Sequence, residues 1–135
     1  MAVITWNEGL SVHVSEMDRQ HQKLIQLINE LNDAMGQGKG KEVIGQTLSG
    51  LMNYTKLHFA EEEKLFDRFN YPEKETQKKM HQKFVEKVWE FKKQSETGNL
   101  ALSIPVMNFL SDWLKKHIQI EDKKYGPFFN QHGMK

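Results

Sequence analysis

Apolar residues recur at intervals of three and four along four separate stretches, the pattern of amphipathic helices. The first predicted helix runs from about Asp18 to Met35, with Leu24, Leu27, Ile28, Leu31 and Met35 on one face. The second runs from about Lys41 to Phe69 and aligns Ile44, Leu48, Leu51, Thr55, Phe59 and Phe66. Pro72 stops the second and can also sit at the start of the third, which reaches about Glu96 and turns Phe84, Val88 and Phe91 inward. The fourth begins near Ser103-Ile104-Pro105 and presents Val106, Leu110, Trp113 and Leu114. Ser103 is its expected N-cap, and Pro105 falls in the first turn, where a missing N–H costs little.

Breaks separate these stretches. Gly36, Gly38 and Gly40 mark a flexible turn, Asn70-Tyr71-Pro72 a second break and Glu96-Thr97-Gly98-Asn99 a third, and Gly126-Pro127 closes the last helix. Connections this short favour antiparallel neighbours. The expected fold is all-α, an up-down-up-down antiparallel four-helix bundle, with residues 1–135 as one domain. Val3, Ile4, Trp6 and Leu10 precede the first helix and predict an extended N-terminal arm that packs Trp6 against the bundle.

Composition narrows the chemistry. The chain has 135 residues, 38% hydrophobic and 27% charged, enough apolar surface for one core. Lys+Arg is 19 against Asp+Glu 18, a balance that argues against a nucleic-acid binder or a polybasic membrane binder. No stretch approaches the roughly 18 apolar residues of a membrane span. The N-terminus lacks the basic start and apolar run of a signal peptide, so the expected location is the cytoplasm. Cysteine is absent, which excludes disulfides, iron–sulfur clusters and thiolate metal sites. A metal here must be held by nitrogen and oxygen.

The informative polar residues lie on the apolar stripes. His21 shares the face of Leu24 and Ile28, and His58 lies on the row of Leu51, Thr55 and Phe66. His81 precedes Phe84 and Val88 by three and seven positions, and His117 follows Trp113 and Leu114. A lone inward histidine is ordinarily a satisfied core residue. Four of them, one per helix, would cost several kcal/mol to bury without a shared partner, and a metal centre partners all four together.

Carboxylates complete the set. Glu62 is four residues after His58, about 40° round the same face, where an unpaired carboxylate is costly. Glu61 and Glu63 fall off that row and read as a solvated face. On the fourth helix, regular geometry prefers Glu121, four after His117; Asp122, five after, lies about 140° round and comes into place only if the helix widens. Histidines with carboxylates suit iron, manganese or zinc, and two carboxylates able to bridge favour two ions. No glutamate is followed by histidine three residues later, and there is no His-Glu-x-x-His, so the ferritin-like and zincin signatures are both missing.

Asp18-Arg19-Gln20-His21-Gln22-Lys23-Leu24, His58-Phe59-Ala60-Glu61-Glu62, Met80-His81-Gln82-Lys83-Phe84 and Trp113 to Asp122 resemble, in order, the four helix motifs of the hemerythrins. Trp6 and Tyr71-Pro72 also fit, and the likeness is to the single-domain bacterial form. The resemblance implies a non-haem di-iron centre, two iron ions with a bridging oxo or hydroxo group, that binds O2 reversibly for transport, storage or sensing. It implies that His21 and His58 hold the iron with an open position, that His81 and His117 hold the other, and that Glu62 and Asp122 bridge them. It thus favours Asp122 over Glu121. One position departs: the family's third helix carries a second histidine four before its H-x-x-F, and here that residue is Gln77. Gln77 either offers an amide oxygen or leaves a water on that iron. Leu24, Phe59, Trp113 and Ile118, near the ligand positions, are the expected lining of the O2 pocket. His13 and His132 fall outside the pattern. The alternatives are an enzyme, in which the iron opened by Gln77 reacts with peroxide or nitric oxide, and a bundle that stores iron. With the ligands assigned, no general acid or base remains on the stripes, so the expectation is a non-enzymatic protein with O2 as ligand.

Overall fold

In the computed structural model, which describes residues 4–97 and 102–135, each predicted amphipathic stretch is helical. Helix α1 spans Ser15–Gly36, α2 Gly40–Arg68, α3 Lys74–Glu96 and α4 Ser103–Trp113. The fourth stretch then continues as a π-helical segment over Leu114–Asp122 and as α5 over Lys123–Gln131. There is no strand among the described residues, and no helix among them is long and apolar enough to cross a membrane. Val3 of the expected arm and Gly98-Asn99 of the third break lie outside the described residues.

Contacts along each pair show the helices alternating in direction. Leu27 of α1 meets Gly50 of α2, and Gln20 nearer the α1 start bonds Glu61 near the α2 end. Lys92 reaches Ser49, while Lys78 reaches Asp67. Phe91 of α3 meets Phe109 of α4, while Phe84, nearer the α3 start, also meets Trp113 at the α4 end. His21 and Asp122 close the ring between the first and last helical stretches. The result is the all-α antiparallel four-helix bundle that the pattern predicts.

Local chemistry ends the helices. Gly38 takes a left-handed φ of +74° just after α1, and Lys39 N–H donates to the Ala34 carbonyl, a helix stop that glycine fits without strain. Asn70, at φ 53°, does the same after α2, where Tyr71 N–H donates to the Phe66 carbonyl. Three sequence expectations shift. Pro72 lies in the turn before α3 rather than at its first position. Ser103 is the first residue of α4, not its cap: Leu102 precedes it, and the Ser103 hydroxyl is buried without a hydrogen-bond partner among the described residues. Gly126-Pro127 does not close the last helix, because α5 runs through Pro127 to Gln131. An internal proline costs about 3 kcal/mol. Tyr125 and Phe129, both fully buried against Phe66 and Tyr71, offset that cost.

The arm is pinned at both ends. Ile4 exchanges two hydrogen bonds with the Asn29 side chain, at 3.0 and 2.8 Å, and Trp6 packs half-buried on the core. A short 3-10 turn, Glu8–Leu10, follows. Asp18 then accepts from the Ser11 hydroxyl at 2.6 Å and from Val12 N–H at 2.8 Å. Two apolar clusters result. The larger holds Leu24, Ile28, Leu48, Phe84 and Leu110; the smaller holds Val12, Met17, Phe66, Tyr125 and Phe129. On each helical stretch the buried histidines and carboxylates, with Gln77, fall between members of the two.

Candidate metal centre

His21 sits between Met17 and Leu24, and His58 and Glu62 sit between Tyr54 and Phe66. Gln77 and His81 sit between Tyr71 and Phe84, and His117 and Asp122 between Leu114 and Tyr125. All seven polar side chains are buried; Glu62 is 0% exposed, and Gln77 and Asp122 are each 1% exposed. Between two dry clusters a charged group must find a partner or a counter-ion.

Each carboxylate faces histidines on both sides. Glu62 Oε1 lies 3.3 Å from His58 Nε2 and 3.1 Å from His81 Nε2, and its Oε2 lies 3.8 Å from His21 Nε2. Asp122 Oδ2 lies 3.2 Å from His21 Nε2, and its Oδ1 lies 3.1 Å from His117 Nε2. Yet the Nε2 atoms of His21, His81 and His117, with Glu62 Oε1 and Asp122 Oδ2, have no hydrogen-bond partner among the described residues. The atoms converge without aiming at one another, the arrangement a cation needs. One ligand atom each from His21, His58, Glu62 and Asp122 falls within 4.8 Å of the rest. The donor set, imidazole and carboxylate without sulfur, fits iron and other metals that take nitrogen and oxygen.

The π-helical segment brings Asp122 into this set. Bonds from i to i+5 widen the turn, so each residue advances by less than the 100° of an α-helix. Five residues then come close to a full turn, and His117 and Asp122 share a face. Glu121 points away and pairs with Lys124 at 3.3 Å.

Partners outside the cluster orient the rings. His81 Nδ1 donates to Glu63 Oε2 at 2.9 Å. A carboxylate only accepts, so the His81 proton sits on Nδ1 and Nε2 is left as the donor atom for a metal. Glu63 is therefore part of the site's support, not of a purely solvated face. His58 Nδ1 donates to Gln20 Oε1 at 2.6 Å, and the Gln20 amide donates to Glu16 at 3.1 Å and to Glu61. The Tyr125 hydroxyl donates to Glu62 Oε2 at 2.6 Å. Gln77 Nε2 donates to Asp122 Oδ1 at 3.0 Å, leaving the Gln77 Oε1 atom buried without a partner among the described residues.

Rings wall the histidines. Phe59 stacks on His81 with centroids 3.9 Å apart, and Trp113 stacks on His117 at 3.8 Å. The ring stacked on His58 is Tyr54, at 5.0 Å. Leu24 and Ile118 are buried in the larger cluster with Phe59 and Tyr54. Sequence reasoning missed Tyr54, Glu63 and Tyr125. Tyr54 and Tyr125 are legible only as stripe residues, four before His58 and three after Asp122; nothing local marks Glu63. His13 and His132 stay exposed, away from the cluster.

The electrostatics follow from this packing. Burial by itself lowers the His21 pKa, but the Asp122 and Glu62 carboxylates overcome it and raise it to about 9. Burial likewise opposes the rise at His81, where Glu62 and Glu63 prevail. Burial pushes Glu62 up, and the surrounding histidines more than reverse this, holding it well below the usual carboxylate range. Asp122 is raised by burial and by Glu62, and lowered on balance by His117 and His21. Tyr54 and Tyr125 rise well above the ordinary phenol value, through burial and the same two carboxylates. The carboxylates of this site thus attract positive charge, and His21 answers them with a raised pKa.

The similarities to known proteins agree with this centre. A family model described as the hemerythrin HHE cation binding domain matches residues 12–129. A bacteriohemerythrin of Pseudomonas aeruginosa is 33% identical over 125 residues, 93% of this chain and 80% of that protein. One of Methylococcus capsulatus is 31% identical over 128 residues, 94% of this chain and 97% of that protein. A crystal structure of wild-type hemerythrin superposes with a TM-score of 0.84 at 30% identity, covering 93% of this chain and 97% of that one. With a cation-binding family model over most of its length and a buried cluster of histidines and carboxylates where four helices meet, this chain belongs to the hemerythrin family.

Proposed function

We propose that this protein binds O2 reversibly at a non-haem di-iron centre. The observation that carries the reading is that Glu62 and Asp122 each face histidines from both sides of the cluster. In this reading His21 and His58 hold one iron, His81 and His117 the other, and the two carboxylates are shared. A pair of irons supplies two electrons and an open position for a diatomic guest. The chain's own residues do the rest. Glu63 and Gln20 hold the His81 and His58 rings so that Nε2 faces inward. Tyr125 holds Glu62 by one oxygen, and the apolar cluster around Leu24, Phe59 and Ile118 keeps water out.

Gln77 fills its slot as a buried amide tied to Asp122, with an oxygen free to serve as a neutral donor. That favours O2 carriage over the second reading, an iron opened by Gln77 for peroxide or nitric oxide chemistry. Membership of the hemerythrin family points the same way, to an oxygen-binding protein rather than an enzyme. Metal analysis with optical spectra of the reduced protein under argon, in air and after re-equilibration under argon tests the proposal. The expected result is about two irons per chain and an absorption band that appears in air and disappears reversibly. Absence of iron, or a band that only decays with turnover of peroxide, overturns it.

A further inference from the structure

Tyr54 lies one helical turn before His58, and the two rings stack with their planes 16° apart. The residue is 7% exposed, and its hydroxyl is buried with no hydrogen-bond partner among the described residues. Leaving such a group unpaired costs about 1–3 kcal/mol, so its retention calls for something outside the chain that meets it. The ring lines a groove of about 430 Å³ between α1 and α2, together with Lys23, Leu27, Leu57 and His58. Because the hydroxyl is buried, the surface shown to the groove is ring carbon. The hydroxyl is turned away from the groove, and Tyr54 belongs to the apolar cluster that also contains Leu24 and Ile118.

Of the other polar groups near the centre, Gln77 Oε1 can only accept, and His21 Nδ1 and His117 Nδ1, though unpartnered, lie on rings whose Nε2 atoms face Asp122; the remaining donors are engaged. Gln77 donates to Asp122, Tyr125 to Glu62 and Gln20 to Glu61. The donor sets are also unequal. In the metal-centre reading the His21–His58 side would have two imidazoles and the shared carboxylates, and Gln77, on the helix of His81 and bonded to the Asp122 oxygen next to His117, would add its free amide oxygen on the other side. The side with fewer protein donors is the one with room for a guest, and Tyr54 is the ring stacked there. At neutral pH a phenol carries its proton and donates.

We infer that Tyr54 contacts the guest: its hydroxyl donates a hydrogen bond to an acceptor atom of a small molecule or anion held beside His58. The site thereby selects guests by acceptor strength as well as size. This rests on the metal-centre reading above. The test uses the full chain, iron-loaded and oxidised, titrated with azide, in wild type, Y54F and Y54M. One lost hydrogen bond of this kind predicts azide binding weaker by about 2- to 12-fold in both variants. Y54F should keep its iron. Its metal-free form should melt at the same temperature or higher, since the change removes an unpaired buried donor. Unchanged azide affinity in Y54F overturns the inference, and a loss confined to Y54M assigns the effect to stacking on His58 instead. Iron loss from Y54F also overturns it, because a residue that meets only the guest leaves the metal in place. A wild-type chain that takes up no iron brings down the metal-centre reading itself; one that binds azide as tightly as Y54F does brings down this inference alone.

Discussion

His117 and Asp122 are five positions apart, yet His117 Nε2 and Asp122 Oδ1 lie 3.1 Å from each other. A regular α-helix would put them on different faces; the π-helical register over Leu114–Asp122 puts them on one. Asp122→Ala should therefore sharply reduce metal content and abolish the oxygenated spectrum. Glu121→Ala, which removes only the pair with Lys124, should leave both unchanged. The reverse outcome would remove Asp122 from the site.

In the proposed di-iron centre Gln77 would offer one metal position a neutral oxygen, where an imidazole would be a stronger donor. Gln77→His should slow iron loss during dialysis against a chelator and lengthen the life of the oxygenated form. If neither changes, Gln77 acts only by holding Asp122.

The Glu63 carboxylate accepts from His81 Nδ1 and makes that imidazole a better donor at Nε2. Glu63→Gln should weaken metal binding by about 10- to 100-fold with the fold intact. Circular dichroism checks the fold and competition with a chelator the affinity. An unchanged affinity would make the contact incidental.

The metal-free protein should lose stability in mild alkali. His21 has a folded-state pKa of about 9 against 6.5 when free, so its contribution is fully present below pH 6.5 and is lost as pH rises through 9. The shift corresponds to a contribution on the order of 3 kcal/mol. Thermal midpoints of the metal-free chain should fall between pH 6.5 and 9. Those of the metal-loaded chain should not, because a metal takes the neutral imidazole. The same argument makes metal uptake at pH 7 release protons, readable by calorimetry in buffers of different ionisation enthalpy. Uptake without proton release would contradict the raised His21 value.

Gly126 lets the arm close on α5. A Cβ there would sit 2.3 Å from the Val12 carbonyl oxygen, a backbone atom that cannot step aside alone. Gly126→Ala should destabilise the fold by about 1–3 kcal/mol by forcing arm and helix apart. Denaturant unfolding measures this, and a midpoint equal to wild type would show that the contact relaxes freely.

The sequence by itself determined the number of helices, the inward face of each and the polar residues on those faces. Those properties are local: an apolar residue every three or four positions fixes a stripe, and His21, His58, Glu62, His81 and His117 lie on stripes whatever stands opposite, whereas only the family resemblance singles out Gln77. Tertiary structure decided what distant residues do to one another. Glu63 lies off its stripe on α2, and its role comes from the proximity of His81 on α3. Pro127 ends a helix by local rules, and the burial of Tyr125 and Phe129 overrides them. Asp122 joins the cluster only through the π-helical register, and choosing it over Glu121 from sequence required a family resemblance. Tyr54 reads as ordinary core until its ring is seen on His58 with its hydroxyl unpaired. Helical periodicity tells each side chain which way to face, but only packing of the four helices supplies its partner.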